Sequence, residues 1–573
     1  MRNLSSLVPM SFPMRRLVAF RVGCTPPACS AALLLAAVAG ALGADDAAAR
    51  IAAARGGDGQ GVWKAAPVVV FAIPAISAIP RLPDRLPADG RVADALDLVL
   101  APGESEPVSF HVFATEPVEA FAVRAGDFKG DDGASLPAAC LDVKSVGCWP
   151  QAAGAWHAHD RVAEGELLVP ELLLNDVRVA ESPMPIADAA APVPAPIAKG
   201  RGRQFWATLH APPDAKPGIY AADLALESDG RPLGSLRLNV RVLPFALPSP
   251  VTRYDSAKPF RAVIGYDGDP SRLRSRGHAA DLVRHRISDV AASSIDEVVA
   301  LSSDAAPARP VWLVAPGELA RAAGLGGAPD FAGWTPASVS TALEIAERAL
   351  KHRDVRFFIR GDLPGGVDAR IAAAQAIRAA GGGVWSLGDG ADFEKAGFCI
   401  DAQVLAGPPD RQTASRWHLI GREVLGCMPP HPGAENPERW RRTKGLLPYW
   451  ADYDGVVIPG WLDAQHPWRD PPEGRRRSRS LAYEAALRRI DTLAWEAVRE
   501  AGDDVRYFTL LTKLSREAAA STLPETADEG RKAAQWFELV DAASVDLDTL
   551  RLETIAWILK LQTVLEAGKG GRP

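Results

Sequence analysis

Residues 354–369 read DVRFFIRGDLPGGVDA, which is the pattern of a strand, a loop and the start of a helix. The run 355–359 is of strand length, a Pro-Gly-Gly turn follows, and a helical pattern continues from residue 369 to residue 380. This order is typical of the repeating unit of a βα barrel, in which residues at the carboxyl ends of the strands carry the chemistry. Asp362 therefore stands where a catalytic carboxylate is expected. The alternative is that Asp362 caps the strand end or the start of the helix.

The spacing of apolar residues changes near residue 250, which divides the chain into parts. Residues 63–250 contain short alternating segments separated by Gly and Pro, of which 236–242 (LRLNVRV) is the most regular. They predict an N-terminal antiparallel β-sandwich. Three prolines in 243–250 cannot continue a strand ladder and mark a boundary. Strands alternating with helices then predict a (β/α)8 TIM-like barrel over 251–476, and residues 477–573 are predicted to be C-terminal helices.

The first 43 residues have the pattern of a secretion signal. Arginines at positions 2, 15, 16 and 21 precede the apolar run 31–41, and small residues follow at 41–43. Met14 is an equally good start for this segment. Residues 44–62 are rich in Ala, Gly and Asp and are predicted to be a disordered lead-in. We therefore expect an exported protein, periplasmic or extracellular.

Composition and charge exclude several classes of partner. The 573 residues include 64 basic and 70 acidic side chains, a net charge of −6, and no sustained basic block follows the first residues, which argues against a nucleic-acid partner. After the signal there is no run of about 18 apolar residues, so no membrane span is predicted in the mature chain. The four cysteines beyond the signal show no metal-binding spacing, and no Gly-rich loop has the context of a phosphate site. We expect no metal and no cofactor.

Several segments together resemble one enzyme family. The segments that carry the resemblance are 205–220 (FWATLHAPPDAKPGIY), 242–248 (VLPFALP), 101–104 (APGE), 168–173 (LVPELL), 453–455 (YDG) and 495–507 (WEAVREAGDDVRY). With them, residues 95–515 resemble the glycoside hydrolase family 123-like proteins, which have a β-sandwich followed by a barrel of the glycosidase kind. The segment 495–507 also predicts a structural ion-pair network on a helix.

The resemblance implies a substrate-assisted N-acetylhexosaminidase. Active members of the family have an adjacent Asp-Glu pair after a barrel strand. The Glu is the general acid, and the Asp orients the acetamido group of the substrate, which acts as the nucleophile. Asp362 fits the Asp position, but Leu363 stands where the acid belongs, and a Leu side chain cannot protonate a leaving group. Candidate replacement acids, each near a predicted strand end, are Asp389, Asp401 and Glu423.

Four further residues are candidates for contact with a sugar. Trp385, at a predicted strand end, and Trp461, after a Pro-Gly turn, have the aromatic side chains that stack on sugar rings; core packing is the alternative for both. Tyr453 and Asp454 are candidates to line the pocket, while a turn before a strand is the other explanation of Asp454.

Two hypotheses follow. In the first, the protein is an exported hydrolase of β-linked N-acetylhexosamine glycans that acts by substrate-assisted retention, with another acid in place of the missing Glu. In the second, it is a catalytically inactive carbohydrate-binding or surface-assembly protein on a degenerate glycosidase barrel. The side chain of Leu363 favours the second hypothesis, and the resemblance favours the first.

Overall fold

A computed structural model describes the chain at residues 49, 51–52, 63–64, 66–152, 165–181, 187–266, 278–292, 311–313, 335–350, 355–359, 366–388, 390, 393–428, 436–458, 460–462, 480–485 and 489–570. The segment predicted to be a secretion signal lies outside the described residues. Within the described ranges no helix is both long enough and apolar enough to cross a membrane.

Among the described residues of the N-terminal part, thirteen strands make two facing sheets. They are β1 (Val68–Ile73), β2 (Arg91–Val92), β3 (Ala95–Leu100), β4 (Ser105–Ala114), β5 (Val118–Ala125), β6 (Phe128–Gly130), β7 (Ser135–Leu136), β8 (Leu141–Ala152), β9 (Glu166–Leu174), β10 (Ala195–Ile197), β11 (Gly202–His210), β12 (Gly218–Ser228) and β13 (Arg231–Val242). One sheet has the order β2-β1-β4-β11-β8-β9, and the other β10-β5-β12-β13-β3 with β6 and β7 at its side.

Alternation of apolar side chains builds the core between these sheets. Every second residue of β13 from Leu236 to Val242 is buried, and these residues share one apolar cluster with Phe110 and Val112 of the opposite sheet. One strand pair departs from the antiparallel prediction, because β3 pairs parallel to β13. More than a hundred residues separate the two strands, so no tight hairpin turn imposes an antiparallel pairing on them.

Eight parallel strands then pair in a closed barrel. They are β14 (Arg261–Tyr266), β15 (Asp289–Ala292), β16 (Val311–Leu313), β17 (Val355–Ile359), β18 (Gly383–Gly388), β19 (Ala402–Leu405), β20 (Glu423–Gly426) and β21 (Gly455–Ile458). The helices described between them are α1 (His278–Arg284), α2 (Pro336–Leu350), α3 (Gly366–Ala379), α4 (Phe393–Ala396), α5 (Arg411–Leu419), α6 (Pro437–Arg441) and α7 (Leu447–Trp450), the last two joined by a π-helical segment, Arg442–Leu446.

The C-terminal part departs from the prediction of helices alone. It contains a short hairpin of β22 (Ala482–Glu484) and β23 (Arg489–Asp491) before α8 (Leu493–Ala519), α9 (Pro524–Glu538) and α10 (Leu547–Gly570). Leu462, just after the barrel strand β21, bridges to Ala482 of β22. Helix α8 packs against both other parts, and one apolar cluster includes Trp206 of the sandwich, Val456 of the barrel and Phe508 of α8. The chain is thus a mixed β-rich and helical protein of several parts.

Candidate active site

The carboxyl end of β17 is where the sequence places the candidate catalytic residue. Strand β17 ends at Ile359 and α3 begins at Gly366, so Asp362 and Leu363 belong to the connection that leaves the carboxyl end of the strand. Both residues lie outside the described residues, as does Asp389. The role of Asp362 therefore stays a prediction that rests on its position in the chain.

Two of the candidate replacement acids lie at the opposite end of the barrel. Asp401 comes directly before β19, where its carboxylate accepts hydrogen bonds from Arg378 Nη1 at 2.6 Å and from the Val384 amide at 2.8 Å. Glu423 is the first residue of β20, and its Oε2 lies 3.5 Å from Arg261 Nε. Both acids are therefore at the amino ends of strands. Barrel enzymes place their chemistry at the carboxyl ends, so this placement corrects the expectation that either residue replaces the missing acid.

Asp454 also lies at the amino end of its strand, directly before β21. It is buried and accepts hydrogen bonds from the Val424 amide at 2.8 Å and from the Tyr254 hydroxyl, and it lies 2.9 Å from His418 Nε2. The neighbouring Tyr453 is buried too, and its ring packs beside Gly426. Both side chains are buried, and Asp454 is hydrogen-bonded to residues of neighbouring segments, so this placement favours a structural role for both residues over contact with a sugar.

Substitution of Asp454 by Asn tests that role. We expect Asp454→Asn to lower the free energy of unfolding by about 1–3 kcal/mol, because an amide NH2 replaces one of the two buried acceptor oxygens and faces hydrogen-bond donors. Urea unfolding followed by tryptophan fluorescence measures the loss, and glycan affinity should be unchanged. Weakened glycan binding at wild-type stability would instead place Asp454 in the binding site.

The two candidate sugar-stacking tryptophans are both fully buried. Trp385 is 0% exposed and lies at the third position of β18, not at its end, within the apolar cluster that fills the barrel. Trp461 is 0% exposed as well, and its ring centroid lies 5.7 Å from that of Trp495 at the start of α8. Arg489 of β23 lies over the Trp461 ring, 5.7 Å from its centroid. Core packing is therefore the role that the structure supports for both side chains.

Sequence reasoning missed a buried lysine near the carboxyl ends of β20 and β21. Lys444 is 3% exposed, and its Nζ donates to the main-chain carbonyls of Met428 at 3.0 Å and Val457 at 3.1 Å. Burial lowers the pKa of Lys444 to about 8. Lys444 lies in the π-helical segment between α6 and α7. The spacing of apolar residues does not predict such a local irregularity of a helix. By donating to both carbonyls, the ammonium group links the segment that follows β20 to strand β21.

A second missed cluster joins the sandwich to the hairpin that follows the barrel. The buried carboxylate of Glu171, on β9, accepts hydrogen bonds from Trp149 Nε1 at 2.7 Å, Gln151 Nε2 at 2.9 Å and the Tyr483 hydroxyl at 2.7 Å. Tyr483 belongs to β22. The motif 168–173 contains Glu171, but no sequence pattern indicates that its partner comes from a strand more than 300 residues further on. This cluster fixes β22 beyond the carboxyl end of β21.

Within the part of the chain that the structure describes, no group of three His, Cys, Asp or Glu side chains is arranged to hold a metal ion. Its four cysteines are all free thiols.

Comparison with solved structures identifies the architecture. A family 123 glycoside hydrolase from Clostridium perfringens, studied for glycolipid glycan hydrolysis, superposes with a TM-score of 0.60 over 88% of this chain and 99% of that one, at 12% sequence identity. The chain has a family 123-like glycoside hydrolase fold. Two further matches have TM-scores that are too low to support an argument. A Bacteroides uniformis β-glucuronidase has a TM-score of 0.28, at 11% identity over 72% of this chain and 49% of that one. A family 2 glycosyl hydrolase from Bacteroides cellulosilyticus has a TM-score of 0.25, at 10% identity over 66% of this chain and 47% of that one.

No protein-family model and no curated protein sequence matches the chain. The family 123-like fold is therefore visible in the arrangement of strands and helices and not in overall sequence similarity.

Proposed function

We propose that the protein binds β-linked amino-sugar glycans at the carboxyl-terminal end of its barrel, with Asp362 as the residue that orients the sugar. The observation that supports this proposal is the family 123-like fold, shared over almost the whole of both chains, together with the position of Asp362 just beyond the end of β17. The proposal treats the closed barrel as a (β/α)8 barrel of the glycosidase kind. Export by the segment 1–43 is part of the same proposal.

Substrate-assisted hydrolysis is the first form that this function can take. The acetamido oxygen of the bound sugar attacks its own anomeric carbon, the bond to the leaving group breaks, and water later opens the resulting ring with retention of configuration. Asp362 would hold the acetamido group in place and balance the charge that develops on it. The leaving oxygen needs a proton, and loss of the general acid costs roughly 10²–10⁴-fold in rate. Leu363 cannot supply that proton.

Binding without turnover is the second form, and one observation favours it. Asp401 and Glu423 lie at the amino ends of β19 and β20, so two of the three candidate replacement acids are at the wrong end of the barrel. Asp389, just beyond the carboxyl end of β18, remains as the candidate proton donor.

One set of variants tests the proposal and separates its two forms. Binding of N-acetylhexosamine oligosaccharides is measured by calorimetry, and hydrolysis of an aryl β-N-acetylgalactosaminide by release of the phenol. We expect Asp362→Ala to weaken binding at least about tenfold and to lower any turnover by about 10²–10³. Asp368→Ala is the matched control, because it removes the same charge from an exposed position on α3.

The outcomes are distinct. Turnover by the wild type that disappears in Asp389→Asn assigns the proton donor and the first form. Binding without turnover assigns the second form. Failure of the wild type to bind any amino-sugar glycan, or equal binding by Asp362→Ala and Asp368→Ala, overturns the proposal.

A further inference from the structure

A buried group of charges lies where the sandwich, the barrel and the C-terminal helices meet. Helix α8 contributes Glu500, Asp503 and Asp504, and the sandwich contributes Glu104 and Glu106. The arginines come from α6, α8, α10 and the segment that follows α1. These residues are far apart in the sequence. The group therefore links the sandwich, the barrel and the C-terminal helices through contacts between residues that are distant in the sequence.

Each acid of the group except Glu104 is in direct contact with an arginine. Arg551 Nη1 donates to Glu106 Oε2 at 2.7 Å, and Arg499 Nη1 lies 2.8 Å from Glu500 Oε1. Asp503 accepts hydrogen bonds from Arg506 Nη1 at 2.7 Å and from Arg286 Nε at 2.9 Å. Asp504 accepts hydrogen bonds from Arg441 Nε and from Arg551 Nε, both at 2.7 Å. Each of these four acids therefore has a positive counter-charge in contact, which Glu104 lacks.

Glu104 has a different environment. It is 1% exposed, and its Oε2 accepts hydrogen bonds from the Ala101 amide at 2.6 Å and the Tyr507 hydroxyl at 2.7 Å. Its Oε1 has no hydrogen-bond partner, and no Lys or Arg among the described residues lies within ion-pairing distance. A buried carboxylate without a cation in contact is strongly disfavoured, whereas a carboxylic acid at the same place is tolerated.

We propose that this junction is a proton-dependent clasp, which closes around neutral Glu104 and weakens when Glu104 ionises. The bond from Tyr507 ties the start of β4 to α8, and it is the contact at the centre of the clasp. Ionisation would add a negative charge near Asp503 with no cation in contact, and the water needed to solvate that charge can enter only if β4 and α8 separate.

The charges around Glu104 support the same conclusion from every element packed against it. Asp503 acts on it from α8 and Arg551 from α10, and Glu106 lies two residues further along the chain. Arg499 of α8 donates to the main-chain carbonyl of Ser105, the residue after Glu104. From β11, the His210 ring is hydrogen-bonded to the hydroxyl of Ser105, next to Glu104, and burial lowers the pKa of this histidine, which disfavours a positive charge there. Burial, followed by repulsion from Asp503, raises the pKa of Glu104 to about 7, although Arg551 at longer range opposes the shift.

The direction of the pH dependence follows from this raised pKa. Between pH 4.5, the ordinary value for Glu, and about pH 7, the folded chain keeps a proton on Glu104 that the unfolded chain has lost. Stability contributed by Glu104 is therefore complete below pH 4.5 and is lost as the pH rises toward 7, by up to about tenfold in the folded-to-unfolded ratio per pH unit.

The clasp is tested by comparing the full chain with Glu104→Gln, which imitates the neutral acid at every pH. Thermal unfolding is recorded by circular dichroism at pH 5.0, 6.0, 7.0 and 8.0. We expect the Tm of the wild type to fall relative to that of Glu104→Gln as the pH rises from 5 to 7. Glu119→Gln removes a charge from an exposed position of the sandwich and should follow the wild type at every pH. Parallel curves for the wild type and Glu104→Gln would overturn the proposal.

A second measurement needs no variant. Hydrogen exchange of the wild type, corrected for the intrinsic effect of pH, is followed in peptides covering 101–107 and 500–507 and in peptides of the sandwich core in β12 and β13. We expect protection at the junction to decrease relative to the sandwich core between pH 5.5 and pH 8. A constant ratio of the two across this range would contradict the clasp even if Glu104→Gln did not fold.

Discussion

Arg551→Met should lower the free energy of unfolding by about 3–5 kcal/mol, which would make it one of the most destabilising single substitutions in the chain. The guanidinium of Arg551 is in contact with Glu106, Glu500 and Asp504, which come from the sandwich and from α8. Arg551 is only 4% exposed, so water cannot replace these contacts. Removing one partner from a buried ion group leaves uncompensated charge and commonly costs about this amount. Urea unfolding followed by tryptophan fluorescence measures it.

A surface arginine provides the control. Arg124 on β5 donates from Nε to Glu227 at 2.8 Å, but its side chain is 67% exposed. Because solvent screens such pairs, Arg124→Met should cost no more than about 1 kcal/mol. If Arg551→Met were no more destabilising than Arg124→Met, the junction would not depend on this arginine.

The charge pattern of 495–507 predicts one part of the ion pairs at this junction and misses the rest. The alternating acids and bases of 495–507 predict an ion-pair network along one helix, and Arg499 does pair with Glu496 on α8, at 2.8 Å. The more important partners come from elsewhere, because Arg551 belongs to α10 and Glu106 to the sandwich. Contacts between distant segments depend on how the parts pack, and spacing within one helix carries no information about them.

Most strands and helices could be predicted because their apolar spacing is regular. The alternation in 236–242 matches β13, and the apolar runs at 355–359 and 455–458 match β17 and β21. The prediction missed β14 and β19. Strand β19 has only four residues, and one of them is the polar Gln403, which is buried with its Nε2 bonded to the Val404 carbonyl. Such a short strand with a polar residue inside gives no clear period-two signal.

The candidate site was harder to predict than the fold, for a geometric reason. In strands of four residues, an error of one or two residues in a boundary is a large part of the strand, so an acid near a strand end is hard to assign to one edge of the barrel. Asp401 and Glu423 were predicted to lie near strand ends without a choice of end, and the structure places both at the amino ends. Asp362 follows a clearer apolar run, so its position after the carboxyl end of β17 depends less on such an error.

Trp385→Ala should also lower the free energy of unfolding by about 3–5 kcal/mol, and this substitution separates packing from sugar stacking. Trp385 fills the barrel interior, where its neighbours in the apolar cluster are Val263, Ala402, Val404 and Leu425. Replacing such a side chain by Ala loses the transfer free energy of the ring and leaves a cavity among small side chains that cannot close it. Trp385→Phe should lower the free energy of unfolding clearly less than Trp385→Ala, because it keeps most of the ring volume. Trp536→Ala on α9 is the comparison, because it removes a tryptophan that is only half-buried. Urea unfolding gives the stability of each variant, and calorimetry gives its glycan affinity below the unfolding transition. A stacking residue would show the reverse pattern, with binding lost and stability kept, and that result would require the Trp385 ring to be open to ligand.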